Sequence, residues 1–170
     1  QVCDILVCDA GTVYIRKENN LHFKITKNVT LENKIGYDEF HSQIESFHIP
    51  IDNNSMAGFC ANTAENVILN DLTQIEIDYP FHFNDTFDKK IGYKTEKGIA
   101  VPLKDRAIKV IGVLQLLNTK DENSNIRNFE KDLLELLHTV ATIISINLEN
   151  SLLHSKLLDS YMESLYKLGS

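Results

Sequence analysis

Between Asp71 and Thr95 the chain gathers Tyr79, Phe81, His82, Phe83, Phe87 and Tyr93 among the acids Asp71, Asp78, Asp85 and Asp88. Aromatic rings supply large apolar walls and stacking faces, and interleaved polar groups can fix a small ligand's orientation. The same stretch reads equally as a cover that shields a sheet and leaves its acids in water. Other reactive residue types are scattered. Cys3 and Cys8 stand on different sides of a helical spacing, and Cys60 sits in a short apolar run. A reactive thiol needs a cationic or helix N-terminal setting to lower its pKa, and none is evident around these three, so core packing is the favoured role. The histidines His22, His41, His48, His82, His138 and His154 make no H-E-x-x-H or similar metal-ligand spacing. His82, among the aromatics, is the first candidate for an axial haem ligand, and solvated side chains are the expectation for the six. No Walker loop, no G-x-G-x-x-G and no G-x-S-x-G elbow is present. The sequence therefore assigns no catalytic residue, no metal and no cofactor.

The elements that must position these residues follow from composition and pattern. The chain has 170 residues, 43% of them hydrophobic, enough for one domain with a core and a helical extension. A net charge of −7 argues against gripping a nucleic-acid backbone. No uninterrupted apolar run approaches the roughly 20 residues that span a bilayer, and no signal peptide opens the chain. Three cysteines, an odd number, read as reduced thiols in a cytoplasmic protein.

Residues 1–8 read as the end of a helix that Ala10-Gly11 breaks. Thr12–Arg16 and Leu21–Thr26 are strands joined by a four-residue polar turn, Lys17–Asn20. Tyr37, Phe40, Ile44 and Phe47 have the spacing of a short amphipathic helix or a loop cover. Ile49–Ile51 is extended. Asn53-Asn54-Ser55 offers caps for a helix from Met56 to about Asn62–Ala64, and Val67–Leu69 is a short buried strand. Gly98–Leu103 and Lys109–Leu117 are strong strands, the second apolar enough to be central. From Phe129 to Leu168 one helical pattern runs unbroken: Leu133, Leu137, Val140, Ile144 and Leu148 repeat, then Leu158, Tyr161, Leu165 and Leu168 in a later register. Its first half can pack on a sheet. From about Ser151 it must project, pair with another helix, or fold back on its own domain.

Several of these segments fall in the order of one family. Asp9-Ala-Gly-Thr-Val-Tyr-Ile15, Asn54-Ser-Met-Ala-Gly-Phe59 with Val67-Ile-Leu-Asn-Asp71, Phe87-Asp88 with Gly92-Tyr93-Lys94-Thr95, Ile99-Ala-Val-Pro-Leu103 and Val110–Asn118 together resemble a GAF domain, over about residues 2 to 150. The match is most similar to GAF modules upstream of HD-GYP cyclic di-GMP phosphodiesterase domains, and Leu157–Ser170 looks like their connecting helix. The N-K…F-x-x-x-D-E pattern of cyclic-nucleotide-binding members is degenerate. Asn118 matches, but Thr119 replaces the lysine, and Phe129 and Asp132 are one residue too close, which removes a plausible Lys–acid pair.

The resemblance implies an α+β fold: a central antiparallel sheet of five to six strands flanked by helices, with a long C-terminal helix. It implies a sensor domain over 1–150 and a signalling helix over 151–170 that leads to an output domain outside the chain, so that the fragment itself is not an enzyme. A small molecule would bind between the sheet and the 71–95 cover, against Asp71, Phe83, Phe87, Asp88, Tyr93 and Thr95. The terminal helices would pair in a homodimer, with no nucleic-acid partner and no membrane insertion. The runner-up is a ligand-free dimerisation and transmission module. A third possibility, reduction of free methionine sulfoxide as in some GAF proteins, would need Cys60 as nucleophile.

Overall fold

The computed structural model describes residues 8–72, 80–82, 85–121 and 123–168, with the backbone alone for Thr86 and Phe87. The expected N-terminal helix, Cys3, Tyr79 and Phe83 lie outside the described residues.

Six strands form one antiparallel sheet: β1 (Cys8–Lys17), β2 (Asn20–Asn28), β3 (His48–Pro50), β4 (Val67–Leu69), β5 (Gly98–Lys104) and β6 (Val110–Thr119), in the order β3-β2-β1-β6-β5-β4. β6 is central, as its apolar run requires. Two details differ from the sequence reading. β1 begins at Cys8, so Ala10-Gly11 sits inside a strand and not at a helix break. The first hairpin turns in two residues, because Lys17 already pairs with Asn20 and Glu18 takes φ 54°. Sequence alone does not signal so tight a turn, since neither central residue is glycine.

Strand alternation sorts the side chains onto two faces. Val13, Ile15, Leu114 and Leu116 point to one, where they pack with Leu133, Leu137, Ala141 and Leu148 of α5 (Lys131–Leu168). Each fully buried leucine there contributes about 1.5–3 kcal/mol. The opposite face carries Ala10, Thr12, Tyr14, Val113, Gln115 and Leu117 beneath four short helices: α1 (Val29–Ile35), α2 (Tyr37–Glu45), α3 (Met56–Thr63) and α4 (Thr86–Ile91). Helices thus cover both faces.

Local chemistry explains three of the short helices. Asn28 caps α1 through a hydrogen bond from the Leu31 N–H (2.9 Å), and the Glu32 side chain accepts from the Asn28 N–H (3.2 Å). This reciprocal cap lies in a stretch with no regular pattern in the sequence. α2 buries Phe40 and Ile44. Ser55 caps α3 by accepting from the Gly58 N–H (3.0 Å), and Ala64 ends it in the left-handed region. A Cβ on Gly58 would collide with the Pro50 carbonyl oxygen, so glycine lets α3 seat against β3.

The 38 residues of α5 extend about 57 Å. Its sheet-facing stripe ends near Leu148, and beyond Ser151 its side chains are exposed apart from Leu152. Leu136, Ile143, Ile146, Leu153 and Leu157 form a second apolar stripe on the side away from the sheet, 41–68% exposed. By length and mean hydropathy α5 is apolar enough to cross a bilayer, although it holds no uninterrupted apolar run of that length and its first half packs on the sheet.

Candidate functional site

A cavity of about 470 Å³ opens between the sheet and the short helices. Its floor is a row of facing polar residues on three adjacent strands. Thr26 pairs with Thr12 across β2–β1, and Thr12 pairs with Gln115 across β1–β6. The Thr12 and Thr26 hydroxyls lie 2.8 Å apart and share a hydrogen bond. Tyr14, buried beside them, has its phenol pushed upward by burial and, to a smaller degree, by the charge of Asp88, so its hydroxyl stays protonated. Phe23, Phe40, Ile44, Ile91 and Leu117 make the apolar wall.

Asp88, in α4, is the acid inside this space. One of its carboxylate oxygens accepts the Thr95 N–H (2.8 Å). Burial raises its pKa above the usual carboxylate value, the hydrogen bonds from Thr95 oppose that shift, and the nearby Asp85 adds to it. The second carboxylate on the wall, Asp52, is engaged with Asn54, accepting its backbone N–H and its side-chain amide (2.9 Å each). Two basic groups border the cavity. Lys90 is exposed, with its ammonium 4.4 Å from the centroid of the Phe47 ring. His48 is exposed and stacked on His22 at 5.7 Å.

The sequence-selected residues divide as follows. Asp88, Tyr93 and Thr95 border the cavity together. Asp71 is exposed, just past β4, and is not among the lining residues. Phe83 lies outside the described residues, and of Phe87 only the backbone is described, inside α4. Phe81 enters the core instead, stacked on Phe59 with centroids 5.1 Å apart. His82 is exposed and not among the lining residues, and among the described residues no group of three or more His, Cys, Asp or Glu side chains is placed to hold a metal ion.

Sequence reasoning missed Thr12, Thr26 and Gln115. Two of them carry a signal: Thr12 stands between Ala10 and Tyr14, and Gln115 between Val113 and Leu117, polar residues at inward positions with apolar or aromatic neighbours at i±2, whereas Thr26, between Lys24 and Asn28, carries none.

A buried hub fixes the loop that follows α4. Asp9, 5% exposed, accepts from the Thr30 hydroxyl (2.9 and 2.8 Å), the Tyr93 hydroxyl (2.9 Å) and the Lys120 ammonium (2.9 Å). Asn118 takes φ 51° in β6 and uses its whole amide. Nδ2 donates to the Tyr93 oxygen (3.0 Å) and the Lys94 carbonyl (2.8 Å), while Oδ1 accepts from the N–H groups of Glu96 (2.9 Å) and Lys97 (3.1 Å). Burial and the Asp9 charge push the Tyr93 phenol upward and hold it as a donor. An internal Lys–acid pair thus exists, although Thr119 stands where the nucleotide-binding pattern has its lysine. The cation comes from the next position, Lys120, and its acid is Asp9 of β1. Cys60 is fully buried in the core and pushed up to about 12 by desolvation, so it rests as the neutral thiol.

Comparison with known proteins supplies the remaining evidence. The family described as "GAF domain" matches residues 1–148. Among solved structures, the chain is similar to the GAF domain of an Acinetobacter phosphoenolpyruvate-protein phosphotransferase, with TM-score 0.65, 16% identity, and coverage of 91% of this chain and 79% of that one. It is similar to a GAF domain/HD domain protein from Geobacter sulfurreducens, with TM-score 0.63, 12% identity, and coverage of 88% and 86%. It is also similar to a type II free methionine-R-sulfoxide reductase from Thermoplasma acidophilum, with TM-score 0.60, 12% identity, and coverage of 88% and 85%. At these identities the likeness establishes the fold. The search of curated proteins gives no match.

Proposed function

The chain belongs to the GAF domain family, and from that premise we propose that it is a cytoplasmic small-molecule sensor that reports cavity occupancy through α5 to an output domain. Domains of this family occur in signalling proteins. The observation that carries the reading is the double role of β6. Val113, Gln115 and Leu117 face the cavity side, while Leu114 and Leu116, one residue away, pack in the cluster that holds α5. A ligand that seats on the polar row therefore presses on a strand whose reverse side is the bed of the helix. A bound molecule biases α5 only if it binds two packings of that interface with different affinity, and couplings of this kind amount to about 1–3 kcal/mol.

The exposed stripe Leu136–Leu157 is the surface through which two copies pair in this reading, and an HD-GYP phosphodiesterase is the output suggested by the sequence resemblance, with a GAF/HD protein among the structural neighbours. The chain itself performs no chemistry here. The sulfoxide-reductase alternative requires an accessible thiolate, and Cys60 is sealed in the core as a thiol.

The runner-up, a ligand-free transmission module, draws on the same apolar stripe. A titration followed by backbone NMR separates the two. With a series of small metabolites, sensing predicts at least one compound that shifts resonances of Thr12, Gln115 and Thr95 together with those of α5. A series that leaves the cavity resonances unmoved favours the transmission module.

A further inference from the structure

We propose that the cavity selects a compact ligand with a cationic or N–H-rich head, an amine, amidine or amino-heteroaromatic group, seated against Asp88 above the Thr26–Thr12–Gln115 row. The inference rests on the reading of the cavity as a ligand site and names the chemistry it takes.

Charge decides the matter. Asp88 lines the cavity, and its partner is Thr95, which donates its backbone N–H to one carboxylate oxygen and its hydroxyl to the carboxylate as well, so that lone pairs remain but, among the described residues, no cation faces the carboxylate. The basic groups on the lining, Lys90 and His48, are both exposed, and each is stacked on an aromatic ring. An anion carried in toward Asp88 would meet a like charge, which is repulsive in a partly desolvated cavity. An apolar ligand would strip water from a carboxylate that burial already disfavours. A cation or a set of N–H donors restores what the carboxylate loses, through charge-assisted hydrogen bonds of roughly twice the neutral strength. The floor complements such a head. Thr12 is hydrogen-bonded to both the Thr26 hydroxyl and the Tyr14 phenol, which leaves one of these three hydroxyl protons and spare lone pairs, and Gln115 offers both functions. The aromatic and aliphatic wall, with Phe23, Phe40 and Leu117, receives the body of the molecule, and about 470 Å³ is within the range of small-ligand sites.

Three probes of nearly one shape separate the possibilities: benzamidine, benzamide and benzoate, carrying positive, zero and negative charge. Each is titrated into the full chain by calorimetry, with NMR to locate the contact. Benzamidine is expected to bind about 10-fold or more tighter than benzamide, with benzoate weakest, a difference of at least about 1.4 kcal/mol. Asp88→Asn keeps an acceptor for the Thr95 N–H and removes the charge, so it should abolish the benzamidine preference while leaving benzamide nearly unchanged. In the wild type, benzamidine affinity should be full where Asp88 is ionised and fall as pH drops through its raised pKa, beginning above the usual carboxylate range. This profile needs no variant and holds the test open if Asp88→Asn folds poorly. Benzoate or benzamide binding as tightly as benzamidine would overturn the charge selectivity and leave the cavity as a ligand site of another class. Undiminished benzamidine binding in Asp88→Asn would move the site elsewhere. Absence of binding by all three at about 10 mM, which corresponds to less than roughly 3 kcal/mol of affinity, also overturns the proposal, while sensing itself is judged by the metabolite titration.

Discussion

At the scale of single residues, the two polar centres differ in kind. The Asp9–Tyr93–Asn118–Lys120 hub is saturated: its acid, phenol, amide and ammonium all have partners at 2.8–3.1 Å. Saturation marks a structural clamp, because little bonding capacity remains for a ligand. Asp88 and the Thr12–Thr26–Gln115 row border open space and retain capacity. Removing part of the clamp should therefore cost stability directly. Asn118→Ala leaves the Glu96 and Lys97 N–H groups without their acceptor and places alanine at φ 51°, so urea unfolding should show a loss of about 2 kcal/mol. Asn123→Ala, at an exposed turn, should stay within about 0.5 kcal/mol. The sequence reading reached Asp88, Tyr93 and Thr95 because they sit in a recognisable stretch. It could not see that Tyr93 turns its hydroxyl to Asp9, eighty-four positions away, since such a pairing is created only by the sheet.

At the scale of elements, the long apolar patterns were legible and the short capped ones were not. β5, β6 and α5 announce themselves by continuous or periodic burial over many residues. α1 has a single buried residue, Leu31, and depends on the Asn28 cap, so periodicity carries almost no signal for it. The same period counting explains the two stripes of α5. The sheet-facing one is satisfied by the domain. The outward one, with Leu136, Ile143, Ile146, Leu153 and Leu157, begins well before the segment that the sequence reading assigned to pairing. The proposed dimer therefore predicts a specific ordering. Ile143→Glu, exposed in the monomer and harmless to its fold, should weaken self-association about 10-fold or more in sedimentation equilibrium, consistent with about 1.5–3 kcal/mol for burying one isoleucine. Truncation after Asn150 should weaken it without abolishing it, because the first three stripe residues remain. A dimer that ignores both changes would remove α5 as the interface.

At the scale of the whole molecule, the sheet is a partition one strand thick. The cavity and the short helices occupy one side, and the helix that leaves the domain occupies the other. The antiparallel sheet, its central strand and the trailing helix were all readable from the chain, because hydrophobic patterning sets them. The sequence reading put a cavity between the sheet and the 71–95 segment, but the share of its wall that α2 and α3 supply was not legible, because the space depends on how these helices stand off the sheet, and that spacing is a tertiary property. The functional claim rests on the partition: a molecule bound on one side is felt by α5 on the other through the shared residues of β6. Hydrogen–deuterium exchange of the amides over residues 131–168 tests this most directly, with benzamidine saturating the wild-type cavity and the same protein without benzamidine as the unliganded control. Occupancy should alter exchange in α5 along with protection of β1, β6 and α4, and both changes should need a higher benzamidine concentration in Asp88→Asn. Protection of the cavity strands with α5 exchange unchanged would contradict the sensor.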